Sequence, residues 1–148
     1  MIGRSAIREH VFVLLFESLF NSSGEMEAQS ANYFDGLEKP VDDESISYIE
    51  QRFHSVEEHL SEIDALIEEK STGWKIGRIG KVELSIIRLA VYEILFDDDV
   101  PVSVAINEAV ELSKKYGQDQ AGAFVNGVLA KFADMSGKDK SPDASSGD

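Results

Sequence analysis

Residues Ile79 to Asp97 read IGKVELSIIRLAVYEILFD. Ile79, Val82, Ile86, Leu89, Ala90 and Ile94 form one stripe at helical steps of three and four. Leu84, Ile87, Val91, Leu95 and Phe96 fill most of the other faces. A helix apolar nearly all round belongs inside a bundle. Glu83, Ser85, Arg88 and Glu93 interrupt the run long before about 18 clean apolar residues accumulate, which rules out a membrane span. The stretch predicts the central helix of a soluble all-α protein.

On the C-terminal side, Asp99 lies in an N-cap region and Pro101 suits a first helical turn. Val102, Ile106, Ala109 and Val110 make the next buried stripe, which Gly117 ends. A last helix spans roughly 120–135, with Phe124, Val125, Val128, Leu129 and Phe132 inward. The tail 137–148, without an apolar anchor, is expected to be disordered. On the N-terminal side, residues 4–20 read as a helix with Ile7, Val11, Leu14, Leu15 and Leu19 facing inward. A short helix over 28–34 follows. Asp42 or Asp43 can cap the next one, in which Ile46, Ile49 and Phe53 recur. Ser55 and Glu58 match a capping box, so a new helix is expected to start there. Thr72-Gly73-Trp74 is read as a hinge. One domain over 1–136 results, with an N-terminal lobe at about 4–72 and a C-terminal lobe at about 74–135.

The chain has 148 residues, is 43% hydrophobic and carries a net charge of −14, which argues against a general nucleic-acid binder. The distribution matters more than the sum. Residues 25–69 hold fourteen acids against Lys39 and Arg52, whereas Lys70 to Val82 contain no acid and include Lys70, Lys75, Arg78 and Lys81. An anionic ligand has to use this island or the arginines Arg4 and Arg8. The absence of cysteine fits a reducing cytoplasm.

The catalytic inventory is poor. His10, His54 and His59 lack metal-ligand spacing, and Gly73, Gly77 and Gly80 follow no strand. A non-enzyme without metal or cofactor is expected. Arg88, on the most apolar helix, needs a partner, and Glu108 is the natural candidate. Glu83, a polar break in that helix, is expected to point outward. Asn126 and Gly127 beside Phe124 leave room for close approach by another molecule.

Ile87 to Glu93 (IRLAVYE), Val100-Pro101, Ala105 to Lys114 (AINEAVELSK) and Phe124 to Leu129 (FVNGVL) together resemble the signature of the NusB family, in its order and spacing. The resemblance covers about residues 74–132. It implies an all-α fold of about seven helices in two small lobes around the central helix. It also implies an RNA-binding adaptor of bacterial transcription antitermination, acting in the cytoplasm with RNA polymerase. Such an adaptor binds single-stranded boxA RNA together with NusE, a ribosomal protein of the small subunit. By the same resemblance Arg4, Arg8, Lys114, Phe124 and Asn126 are expected at RNA, and Glu83, Arg88 and Tyr92 at NusE. Since NusB-like domains also occur fused to rRNA methyltransferases, an accessory role in rRNA methylation is one alternative. A helical module that binds NusE without RNA affinity is another.

Overall fold

The computed structural model describes residues 1–136. It is built from α1 (Arg4–Glu17), α2 (Met26–Asp35), α3 (Asp43–Glu58), α4 (Leu60–Lys70), a 3-10 turn (Ile76–Arg78), α5 (Lys81–Phe96), α6 (Val102–Tyr116), α7 (Ala121–Ala130) and the single-turn α8 (Ala133–Ser136). The described residues contain no strand. The expected disordered tail lies outside them. Two compact units divide the chain between Glu58 and His59. The division precedes the Thr72-Gly73-Trp74 hinge, so α4 groups with the central helix.

In the N-terminal unit, α1 packs against α3. Val11, Leu14, Ile49 and Val56 are fully buried. Asp42 caps α3 as expected. Its carboxylate accepts the Ser45 amide at 3.0 Å and the Ser45 hydroxyl at 2.7 Å. Those bonds pull its carboxyl below the usual range. The Ser45 hydroxyl in turn accepts the Ile2 amide at 3.0 Å, which anchors the N-terminus. Ser30 donates to Glu50 at 2.7 Å and so ties α2 to α3.

The capping box at Ser55 does not form. α3 runs through Ser55 to Glu58, and the break falls at His59. The buried series Ser45, Ile49, Phe53 and Val56 continues past Ser55 in helical phase. Burial of that stripe therefore overrides the local capping preference.

In the C-terminal unit, α5 is the centre, in contact with α4, α6, α7 and α8. Every residue from Leu84 to Val91 is buried, as the sequence predicts. Ser85 remains inside because its hydroxyl donates to the Lys81 carbonyl at 2.9 Å. Arg88 stays inside for a different reason. Its guanidinium grips Asp64 of α4 with two bonds, Nε–Oδ1 at 2.9 Å and NH2–Oδ2 at 2.7 Å. The expected pairing with Glu108 of α6 is thus corrected to Asp64, whose carboxylate is presented by a facing helix in the planar geometry a guanidinium prefers. α6 begins at Val102, with Pro101 rather than Asp99 at its N-cap and the Pro101 carbonyl accepting the Ala105 amide at 3.1 Å.

Candidate RNA interface

The acid-free island leads directly into a cleft of about 610 Å³ in the C-terminal unit. Its floor and walls come from the loop before α5, the first turn of α5 and the α6–α7 corner. Trp74 and Phe124 meet there with ring centroids 5.7 Å apart and planes inclined by 69°. Tyr116 also lines the cleft, and Lys115 lies 5.5 Å above its ring. Arg78 and Lys81 reach the lip, and both are exposed, as is Lys75 beside them.

Local backbone geometry explains how these side chains converge. Gly117 ends α6 where a Cβ would stand 2.6 Å from the Ala121 Cβ and 2.8 Å from the Ser113 carbonyl oxygen, so only glycine permits so tight a turn. Gln120 then enters α7 with φ of 75°, a left-handed conformation unusual for a residue with a Cβ, and it lines the cleft. Glu83, expected to point outward, is half-buried instead. Its carboxylate folds over Gly80, the N-cap of its own helix, and lies beside Gly117. A carboxylate at the third helical position is attracted by the amides and the positive end of the dipole there. Glu83 therefore joins the start of α5 to the end of α6 while remaining on the cleft wall.

A second, smaller cleft of about 470 Å³ opens between α6 and α7. It gathers Lys114 and Asn126, together with Asn107, Glu111 and Gly122. Lys114 is exposed and pairs with Glu111 at 3.2 Å. Phe124 and Asn126, two positions apart on α7, thus serve different clefts.

Arg4 is exposed at the start of α1. Arg8 is only 8% exposed, a poor position from which to reach a phosphate. Arg88, held by Asp64, is an interior structural residue and offers little surface to a partner. The half-buried Tyr92 packs edge-on to His59 at 5.7 Å and against Phe96 at 5.8 Å. Sequence reading missed Trp74 and Tyr116 as site residues. The available signal was an aromatic residue inside the basic island, between Lys70 and Lys75, a pattern suited to stacking beside phosphate contacts.

Comparison with known proteins gives a consistent result. The NusB family profile matches residues 5–134. The transcription antitermination protein NusB of Agathobacter rectalis is 58% identical over 130 residues, covering 88% of this chain and 98% of the relative. That of Lachnoclostridium phytofermentans is 52% identical over 131 residues, with the same coverage of 88% and 98%. Among solved structures, T. maritima NusB superposes with a TM-score of 0.81 at 32% identity, covering 94% of this chain and 96% of that one. A crystal structure of the antitermination factors NusB and NusE in complex with dsRNA gives a TM-score of 0.73 at 28% identity, covering 89% and 96%.

Proposed function

The chain belongs to the NusB family, and from that premise we propose that it is a non-catalytic, cytoplasmic RNA-binding adaptor of transcription antitermination. It receives boxA-type single-stranded RNA of nascent transcripts and acts together with NusE in the complex with RNA polymerase. The relative crystallised with NusE and dsRNA supports NusE and RNA as the classes of partner. No helix among the described residues is long and apolar enough to cross a membrane.

The observation that carries the RNA reading is the convergence of Phe124, Trp74 and Tyr116 with Arg78 and Lys81 in one cleft of an otherwise acidic chain. Aromatic faces stack on unpaired bases while the cations meet phosphates, the combination that single-strand binders use. Lys114 and Asn126 can extend the contact along α6 and α7, and Arg4 supplies a separate exposed cation on the N-terminal unit. Arg8 contributes to the fold of α1 in this reading. On the NusE side, Glu83 and Tyr92 are the candidate contacts on α5.

The test is fluorescence anisotropy with labelled boxA-type RNA across a salt series, with and without NusE. About three phosphate contacts give a log–log salt slope near −2 for a single strand. Phe124→Ala should weaken binding roughly tenfold or more, since a stacked base contributes about 1 to 3 kcal/mol. NusE should raise the affinity. Undiminished affinity in Phe124→Ala, together with a flat salt response, would remove the RNA site. A module that binds NusE alone, a reading favoured by the net charge of −14, would then take its place.

A further inference from the structure

We propose that Trp74 is a second base-stacking surface of the cleft, so that two successive unpaired nucleobases are received there, one on the Trp74 ring and one on the Phe124 ring. The proposal rests on the RNA-adaptor reading and assigns it a residue and a geometry. Trp74 is 46% exposed. A large aromatic ring is thus left nearly half in water, and its loop is closely held. The Ser71 hydroxyl, buried at the end of α4, donates to the Trp74 carbonyl at 3.0 Å. The Ile76 amide donates to the Glu68 carboxylate at 2.9 Å. Lys131, at the end of α7, donates to the Thr72 hydroxyl at 2.7 Å. Between these ties, Thr72 and Gly73 both take positive φ, 38° and 82°. A β-branched residue in that region is strained, and strain persists only where the surroundings fix it. The loop therefore presents Trp74 at the mouth of the cleft in a fixed orientation.

The orientation selects the ligand. Consecutive bases in a duplex are parallel, whereas the two rings are inclined by 69°. A strand can place one base on each ring only if it turns between them and the bases unstack from one another, which an unpaired strand does at little cost. Lys75, Arg78 and Lys81 stand exposed around the same loop to meet the phosphates of the turn.

The chain has one tryptophan, so its intrinsic emission reports on this position alone. The full chain is titrated with a short boxA-type single strand, reading anisotropy of the labelled RNA and, with unlabelled RNA, Trp74 emission. The same is done with the blunt duplex of that sequence. Quenching by the single strand should follow the anisotropy curve, and the duplex should leave the emission unchanged. Trp74→Ala should bind the single strand roughly tenfold more weakly or worse, and Trp74→Phe, which keeps a stacking ring, should recover most of the loss. Binding by anisotropy with unchanged emission and an unaffected Trp74→Ala overturns the Trp74 assignment and leaves the adaptor reading standing. Equal quenching by the duplex overturns the unpaired-base geometry. No binding of either RNA overturns both.

Discussion

Arg88 shows how much one residue position depends on distant chain. Its side chain is 9% exposed and that of Asp64 is 26% exposed, so removing the carboxylate leaves a charge in a mostly dry site. Asp64→Ala should cost about 3 kcal/mol, the lower end of the range for breaking a buried pair because Asp64 retains some solvent. Thermal or urea unfolding of the two single variants and the double variant should show strong coupling. Additive losses would reject the pairing. His10 and Tyr33 give a pH test at the same scale. The His10 Nδ1 and the Tyr33 hydroxyl are 2.6 Å apart. Burial pushes the imidazole below its ordinary 6.5. Burial, then Glu17 and Glu9, raise the phenol from 10.0 to about 12. Both shifts favour neutral side chains in the folded state. The contribution of His10 is complete above pH 6.5 and is lost as pH falls through its lowered folded pKa. That of Tyr33 is complete below pH 10.0 and is lost as pH rises toward about 12. Tm should therefore be flat between these limits and fall on the acid side, and His10→Gln should flatten the acid limb. An unchanged acid limb in that variant would assign the fall to other groups.

At the scale of elements, the ends of helices separate what sequence discloses from what it conceals. Asp42, Gly117 and the buried run of α5 were legible because each acts through its own backbone or its own period. Ser55 misled because a capping box is a local preference of about 1 kcal/mol, outweighed by the burial of Phe53 and Val56 on either side. The partner of Arg88 was not legible, since Asp64 lies 24 residues away and only the packing of α4 on α5 brings it near. The cleft was half legible. Phe124 and the basic island could be read, but the loop that turns Trp74 onto Phe124 depends on positive φ at Thr72 and Gly73, which no periodicity encodes. The α6–α7 corner offers its own test. Gly117→Ala forces a methyl against Ala121 and the Ser113 carbonyl, and should cost about 1 to 3 kcal/mol as overpacking does. The same change shifts the corner that carries Gln120 and Phe124 into the cleft, so unfolding and RNA affinity should both worsen. A variant of unaltered stability would show that the corner relaxes freely.

At the scale of the whole molecule, charge makes two demands with opposite salt dependence. The chain carries −14 overall, and the fourteen acids within residues 25–69 are crowded against two basic residues there. Like charges repel in the folded state more than in the expanded one, so the fold is under electrostatic tension at low ionic strength. Added salt shortens the screening length to about 8 Å near physiological strength and relieves that tension. Tm should accordingly rise as sodium chloride is increased from a few millimolar. RNA binding depends on the island around Trp74, where Lys75, Arg78 and Lys81 release counterions from phosphates. Its affinity should fall over the same interval with a log–log slope near −2. Thermal melts and anisotropy in one buffer series separate the two effects directly. If Tm and affinity rise together with salt, the acidic excess governs the RNA surface as well. The basic island would then be too weak to act as an RNA site without a partner that supplies positive charge.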